Sequence, residues 1–248
     1  MKSIIFISIS LIIFLFLSCQ KDDSEISASL EKMINRKLYF EFIEDKEPIW
    51  VSEYHYNNEA KLDTIYYYSG QNLEKAYQFE LFRYNSVNEI VNKLTFHYAN
   101  DSIGWLLHDS TYYGYENGKL ILEETLFFTL SSDHILLKYE YENSKLIRKY
   151  NCSEQQLLSC WTYDYSGDLC VKESMFLDGL CENLYDYTIH IYEDGLLMKS
   201  EKYKSNDALK QIIIYTYDEK GNLIIEESKK IDFSLTRPLD YVYRYEYF

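Results

Sequence analysis

A tyrosine motif that returns every 24–27 residues constrains this fold more strongly than any other feature of the sequence. A typical copy has two aromatic residues separated by one residue, then a short run containing Gly, Asn or Asp, then a leucine. The fullest copy is Tyr215-Thr216-Tyr217-Asp218-Glu219-Lys220-Gly221-Asn222-Leu223. Counted by the second tyrosine, the clear copies lie at Tyr115, Tyr141, Tyr165, Tyr192 and Tyr217, with Tyr243 after them and looser copies at Tyr56 and Tyr84.

Each copy predicts a β-hairpin. Side chains two residues apart point to the same face of a strand, so the two aromatic rings share a face. Steps such as Asn117-Gly118 and Asp194-Gly195 supply the positive φ angles of a tight reversal. Two strands of about ten residues and two turns fill one period. The sequence therefore predicts a repetitive antiparallel meander of hairpins, each about 25 residues long.

The predicted fold class is all-β. An open twisted sheet rarely exceeds about ten strands, whereas this pattern gives about sixteen. We therefore expect a curved antiparallel sheet, with a small four-bladed β-propeller as the alternative. A membrane-spanning barrel is disfavoured, because Glu246, Arg244 and Asp240 are in phase with the terminal Phe248, where a lipid-facing strand needs apolar side chains.

The charge balance limits the partners. The chain has 25 Lys and Arg against 40 Asp and Glu, a formal net charge of −15. Nucleic-acid binding requires clustered basic residues, so no nucleic-acid partner is expected. Hydrophobic residues make up 47% of the chain, enough for a packed core, which excludes wholesale disorder.

The N-terminus predicts export. Lys2 precedes an apolar run over residues 4–17, which is too short for a membrane span of about 20 residues and typical of a signal peptide. Ser18-Cys19 follows and resembles the lipobox of bacterial lipoproteins. The resemblance implies cleavage after residue 18 and a covalent lipid, such as palmitate, on Cys19. Gln20-Lys21-Asp22-Asp23 is similar to the surface-export signal of Bacteroidetes lipoproteins, which implies a lipid-anchored outer-membrane protein at the cell surface.

Three parts of the chain follow from these patterns. Residues 1–18 are the predicted signal peptide. Residues 19–37 are a predicted lipid-anchored tether, within which a short helix is possible from Ser29 to Lys37. From Leu38 onward the apolar residues alternate with period two, so residues 38–248 form the predicted β-hairpin repeat domain.

The repeat resembles the YD repeat of Rhs-type proteins and of YD-like Bacteroidetes lipoproteins. The resemblance covers residues 51–248, and the Tyr217 copy has the full Tyr-x-Tyr-Asp-x-x-Gly-x-Leu form. In that family the repeats build a curved sheet, sometimes a shell that encloses a toxin. About eight units are too few to enclose a cargo, so a shell function is not expected.

The four cysteines beyond Cys19 are an even set, which permits disulfides in an exported protein. Cys152 and Cys160 flank one predicted turn, so a bridge between them is a possible disulfide; buried free thiols are the alternative. No Cys-x-x-Cys spacing occurs, so no metal site is predicted. No cofactor is expected apart from the lipid on Cys19.

No catalytic residues are predicted. His108-Asp109-Ser110 contains the residue types of a hydrolytic triad, but adjacent strand residues point to opposite faces, so the three could not form a relay. The sequence therefore favours a protein that is not an enzyme.

The second tyrosines form a possible aromatic binding face, which consists of Tyr115, Tyr141, Tyr165, Tyr217 and Tyr243. Exposed rings of this kind stack on sugars or on a protein partner, whereas buried ones would form a core. We expect a non-catalytic binding or scaffolding module for glycan or protein, anchored to the membrane by its lipid. The alternatives are a hydrolase lipoprotein and a purely structural envelope protein.

Overall fold

A computed structural model describes residues 33–41, 45–69, 74–128, 134–152, 156–231 and 241–247. These ranges contain sixteen antiparallel strands, which confirms the all-β fold class for the described part of the chain. The strands are β1 (Ile34–Phe40), β2 (Trp50–Tyr56), β3 (Leu62–Ser69), β4 (Gln78–Tyr84), β5 (Ile90–Asn100), β6 (Gly104–Glu116), β7 (Lys119–Phe127), β8 (His134–Glu142), β9 (Lys145–Cys152), β10 (Leu157–Ser166), β11 (Leu169–Phe176), β12 (Leu184–Glu193), β13 (Leu196–Lys204), β14 (Leu209–Tyr217), β15 (Leu223–Lys230) and β16 (Tyr241–Tyr247).

The sheet closes into a barrel. Each strand pairs with its neighbours in sequence, and β1 pairs with both β2 and β16. The predicted open curved sheet is therefore wrong, and so is the alternative β-propeller. Closure gives every strand two partners and removes the exposed sheet edges that an open sheet would leave.

β-Bulges near the second tyrosines give a physical reason for the closure. In β10 and β11, Asp164 pairs with Lys172 but Tyr165 pairs with Cys170, so Val171 is an extra residue. The same register shift occurs in the other six hairpins that begin with an even-numbered strand. A bulge bends its strand and increases the local twist. Regular bulges therefore curl the sheet until its two ends meet.

The two ends of the barrel strands differ in their connections. Turns after the even-numbered strands are short, and we call this side the tight-turn end. Asn117 and Gly118 have φ values of 52° and 73°, and Asp194 and Gly195 have 49° and 81°, as the predicted tight reversals require. The other connections, after the odd-numbered strands, form the side that we call the loop end.

An eighth repeat is assembled from the two ends of the described barrel. Tyr247 of β16 pairs with Ile34 of β1, and the register then shifts by one residue before Arg36 pairs with Glu246. This shift is the same bulge that the other hairpins have, but here no covalent turn joins the two strands. The barrel is thus eight hairpin units, one of which is closed only by hydrogen bonds and side-chain packing.

The barrel begins before the predicted domain boundary. β1 starts at Ile34, so residues 34–37 are barrel strand, and the described end of the possible helix from Ser29 to Lys37 is extended. The predicted signal peptide, Cys19 and residues 20–32 of the predicted tether lie outside the described residues. Among the residues that the structure describes, no helix is long and apolar enough to cross a bilayer.

Candidate functional site in the barrel interior and on the outer wall

The second tyrosines link each hairpin to the one before it. Tyr217 Oη donates a hydrogen bond to the carbonyl oxygen of Leu197 at 2.9 Å, and Leu197 lies directly opposite Tyr192, the second tyrosine of the preceding unit. We call these contacts the tyrosine locks. The others join Tyr56 to Ile34 (3.0 Å), Tyr84 to Leu62 (2.7 Å), Tyr165 to Leu146 (3.0 Å), Tyr192 to Cys170 (3.0 Å) and Tyr247 to Leu223 (2.7 Å). The locks explain why the repeat keeps tyrosine rather than phenylalanine at these positions.

A ring of side chains that face each other in pairs, the interior belt, lies inside the barrel, two residues further from the tight-turn end than the tyrosine locks. In every unit the residue two before the second tyrosine pairs directly with a residue on the next strand, so the two side chains share the inner face. The pairs are Tyr245 with Lys37, Tyr54 with Ile65, Phe82 with Lys93, Tyr113 with Glu123, Tyr139 with Lys149, Tyr163 with Glu173, His190 with Ser200 and Tyr215 with Glu226.

The belt fills the barrel at its level. Tyr139, Tyr215 and Tyr245 are only 5–7% exposed, and the charged Lys37 is buried beside them. Side chains that lined a water-filled channel would keep much of their surface accessible. The described interior is therefore a packed polar and aromatic core at this level, not an open pore.

Burial of the belt shifts its ionisable groups. It lowers the pKa of Lys37 to about 8, although Glu226 opposes this shift. Burial also lowers the pKa of Lys149 and raises the pKa values of Glu123 and Glu173. Each change is in the direction that disfavours a charge in a low-dielectric interior.

Aromatic rings compensate part of this cost. The Lys37 Nζ lies 3.7 Å from the ring centroid of Tyr243, and the Lys149 Nζ lies 4.3 Å from that of Trp161. A desolvated cation over such a ring gains about 2 kcal/mol. These lysines and glutamates were not predicted, although the repeat holds a signal for them. Each charged belt residue on the following strand lies three positions after the residue opposite the second tyrosine.

The predicted aromatic binding face lies on the inner side of the barrel. Tyr165 and Tyr217 are tyrosine locks, and Tyr115 and Tyr141 occupy the same position in their own units. Tyr243 is not the anchor of the last repeat as predicted, because Tyr247 occupies the lock position there. Tyr243 also faces inward, where its ring centroid is 5.4 Å from that of Tyr39. The structure thus brings these rings together around the interior and does not place them on the outer wall.

The outer wall carries a different group of rings, which we call the aromatic row. It crosses β3 to β6 and consists of Tyr66, Phe79, Phe96 and Trp105. Phe79 stacks on Phe96 and meets Trp105 edge-on, with ring centroids 4.7 Å apart in both cases, and Tyr66 lies 5.8 Å from Phe79. Trp105 is 38% exposed, so the row offers an accessible aromatic platform.

Charged side chains are spread over the rest of the outer wall, among exposed apolar ones such as Tyr112, Ile191 and Ile214. Arg36 Nε donates to Glu53 Oε1 at 2.9 Å, and Lys229 lies 2.9 Å from Glu227. The outward-facing charged residues given by the strand register are Arg36, Glu53, Arg83, Glu124, Lys138, Glu140, Arg148, Asp164, Lys172, Lys199, Glu201, Glu227, Lys229, Arg244 and Glu246. A basic side chain facing lipid at the bilayer midplane costs about 2–4 kcal/mol. This wall is suited to water rather than to hydrocarbon.

The cysteine pairing differs from the predicted one. Cys160 is bonded to Cys181, with Cα atoms 5.4 Å apart, and Cys152 and Cys170 are buried free thiols. The predicted Cys152–Cys160 bridge is therefore wrong. Cys152 and Cys160 both point outward on neighbouring strands, but the loop between β11 and β12 returns Cys181 to Cys160, a contact that local turn spacing does not reveal.

The His108-Asp109 pair also differs from expectation. Pairing passes from Thr95–Asp109 to Phe96–Leu107, so His108 is an extra bulged residue. The bulge overrides the alternation of the strand, and His108 Nδ1 lies 2.9 Å from Asp109 Oδ2. Ser110, however, lies on the other face, where its Oγ accepts a hydrogen bond from Asn92 Nδ2 at 2.9 Å. The three residues do not form a relay.

No group of three or more His, Cys, Asp or Glu side chains within the described ranges is arranged to hold a metal ion. The buried carboxylates of the belt are instead interleaved with lysines and aromatic rings. Among the features described, the outer-wall aromatic row is the strongest candidate for a binding site.

Two solved structures were matched to this chain. A porin-like protein from Bacteroides uniformis ATCC 8492 matches 87% of this chain and 98% of its own length, with a TM-score of 0.52 and 10% sequence identity. A porin-like protein from Bacteroides vulgatus ATCC 8482 matches the same shares with a TM-score of 0.35 and 10% identity. At this identity, the first similarity shows a shared fold. No protein-family model matches the sequence, and no curated protein is significantly similar to it.

Proposed function

We propose that this chain is a lipid-anchored outer-membrane protein whose barrel lies in water at the cell surface and acts as a non-catalytic binding module. The signal-like N-terminus and Cys19 support the anchor, and the fold shared with a porin-like Bacteroides protein supports the compartment. The charged outer wall favours a barrel held at the membrane by lipid over one that spans it. The resemblance to YD repeats remains a prediction.

The binding role rests on the aromatic row. Because the belt fills the interior at its level, a ligand is more readily bound on the outside. Flat, partly exposed rings in a line match the apolar faces of successive sugar units, and neighbouring polar groups supply hydrogen bonds. Tyr68 Oη donates to Glu53 Oε2 at 3.2 Å on the same wall, which places a hydroxyl and a carboxylate beside the rings. We therefore propose an extended glycan as the ligand.

A glycan array tests this role. We expect the purified protein to bind a subset of oligosaccharides, and Trp105→Ala to weaken that binding at least tenfold, because truncating an interface tryptophan typically costs 2 kcal/mol or more, about thirtyfold. Trp50→Ala is the matched control, since Trp50 is also 38% exposed but lies outside the row. Equal losses in both variants, or no binding to any glycan, would contradict the glycan proposal; a protein ligand would then be the remaining form of the binding role.

The anchor is tested separately. Labelled palmitate should be incorporated into the protein in cells and not into Cys19→Ser. Protease treatment of intact cells should then remove the barrel from the lipidated protein. Failure of labelling would refute the lipid anchor, and protection from protease would refute display at the cell surface.

A further inference from the structure

Lysine side chains gather on the inner face of β13 to β15, between the interior belt and the loop end. Lys202 lies two residues beyond the belt position of β13 and pairs with Gln211, which pairs in turn with Lys230. Lys204 lies two residues further along β13 and pairs with Asp186 of β12. Directly opposite residues, and residues two apart in one strand, share a face of the sheet. These side chains therefore line the mouth of the barrel at its loop end.

A fourth lysine reaches the same mouth from a β-bulge. Lys210 is an extra residue of β14, because the pairing with β13 shifts by one residue there. Lys210 Nζ lies 2.9 Å from Asp186 Oδ2, and Lys202 Nζ lies 3.0 Å from the same oxygen. One carboxylate thus holds two ammonium groups close enough for a single small ligand to contact both. We call Lys202, Lys204, Lys210 and Lys230 the basic mouth.

The two lysines at Asp186 keep an excess of positive charge. Asp186 is 3% exposed, and among the described residues it is the sole ion-pair partner of Lys202 and of Lys210. One negative charge therefore faces two positive ones. Glu173 is separated from Lys202 by Thr188 in the strand register, and burial raises the pKa of Glu173, which disfavours its charge. This local excess of positive charge contrasts with the formal net charge of −15 for the chain.

The other acids on this side of the barrel do not pair with these two lysines. Asp207 accepts a hydrogen bond at 2.7 Å from Tyr187, whose side chain lies on the outer wall. Glu226 of the belt accepts a hydrogen bond from Tyr241 Oη at 3.2 Å. Glu182 is exposed in the loop between β11 and β12. Asp186 is thus the acid that sets the charge at the two ammonium groups.

The remaining loop-end acids lie further round the barrel. They are Glu41 and Glu47 between β1 and β2, Glu74 between β3 and β4, and Asp101 between β5 and β6. Three or more strand spacings of about 4.8 Å separate their connections from β14. This separation exceeds the Debye length of about 8 Å at physiological ionic strength. These acids therefore do little to offset the charge of the basic mouth.

We infer that the basic mouth binds the phosphate or sulfate group of a small ligand. A tetrahedral oxyanion presents several acceptor oxygens, so one such group can accept charge-assisted hydrogen bonds from Lys202 and Lys210 together. Their side chains remain 35% and 26% exposed, so a ligand can reach them. The packed belt forms the floor of the site, and the ligand therefore enters from the loop end.

This site is separate from the proposed glycan site. The aromatic row crosses β3 to β6, on the other side of the barrel from β12 to β15. A protein that binds phosphate or sulfate but no glycan would refute the glycan proposal and leave the basic mouth standing. The opposite result would refute the basic mouth alone.

Isothermal titration calorimetry of the purified protein tests the inference, with inorganic phosphate, inorganic sulfate, glucose 6-phosphate and glucose 6-sulfate as probes. We expect saturable binding that weakens as sodium chloride is added. Lys202→Gln and Lys210→Gln should each weaken it at least about tenfold, because a hydrogen bond from a charged group is lost. Lys199→Gln is the matched control, since Lys199 is on the same strand as Lys202 and is 38% exposed, but it pairs with Glu201 on the outer wall. Near-ultraviolet circular dichroism should show the same fold in all variants.

Two arms of the titration identify the source of the oxyanion. Tighter binding of glucose 6-phosphate than of glucose 6-sulfate would assign the site to a phosphate ester, and the reverse order would assign it to a sulfate ester. The inference is overturned if none of the four probes binds saturably, or if Lys199→Gln weakens binding as much as Lys202→Gln does. Unchanged binding by a folded double variant, Lys202→Gln with Lys210→Gln, would also overturn it.

Discussion

Tyr217→Phe removes one hydroxyl group and, with it, the tyrosine lock to the carbonyl oxygen of Leu197. The hydrogen bond is 2.9 Å long and belongs to a half-buried side chain, where burial raises the pKa of Tyr217. The net loss for such a bond is about 0.5–1.5 kcal/mol. For a chain of this size each kcal/mol lowers the melting temperature by about 2–4 °C, so we expect a decrease of about 1–6 °C.

The assay is thermal and urea denaturation followed by circular dichroism. The same substitution at Tyr84 should cost a similar amount, because Tyr84 Oη also donates to a main-chain carbonyl oxygen, that of Leu62, at 2.7 Å. Five strands separate β4 from β14 in the barrel, so the double variant should lose the sum of the two values to within about 0.5 kcal/mol. Tyr112→Phe is the control, since Tyr112 faces outward and is 49% exposed. Equal costs for Tyr112→Phe and Tyr217→Phe would refute the role assigned to the locks.

Three further predictions concern the bridge, the interior charges and pH. Replacing both Cys160 and Cys181 with serine should lower the free energy of unfolding by about 3 kcal/mol, because the bridge closes a loop with a sequence separation of 21. Peptide mapping by mass spectrometry without reduction should recover the Cys160–Cys181 link. A disulfide that involves Cys152 would contradict the structure. Glu80→Gln should cost about 2–4 kcal/mol in urea denaturation, because Glu80 is 7% exposed and lies 3.4 Å from Lys93, whereas Glu140→Gln should cost under about 1 kcal/mol because Glu140 and Arg148 are each 49% exposed. Burial lowers the pKa of His190 from 6.5 to about 4, so its contribution to stability is present above pH 6.5 and is lost as the pH falls to about 4, by up to about 3 kcal/mol. The test compares the unfolding free energy of the unaltered chain with that of His190→Gln at pH 7, 5.5 and 4. The raised pKa values of Glu123 and Glu173 act in the opposite direction but are present in both proteins, so the difference between the two isolates His190, and parallel curves would refute its role.

Much of the local structure was predictable from the sequence. Tyr-x-Tyr followed by Asn-Gly or Asp-Gly located the tight turns at Asn117 and Asp194, because positive φ angles are a local property of those residues. The period placed the hairpins in the correct order. The predicted binding tyrosines, in contrast, lie inside the barrel, and the outer-wall row at Phe79 and Trp105 was not found, because it has no fixed position in the repeat.

The strands, the turns and the sets of side chains that share a face of the sheet follow from the local sequence, since they depend on backbone geometry within one hairpin. The face that became the inside depended instead on how the sheet closed. The alternation of side chains along the strands places Lys149 and Tyr139 on one face and Arg148 and Glu140 on the other, but it does not determine which face is concave. That choice, the closure of β1 on β16 and the pairing of Cys160 with Cys181 depend on contacts between residues far apart in the chain, and the accumulated bend of the bulges brings those residues together.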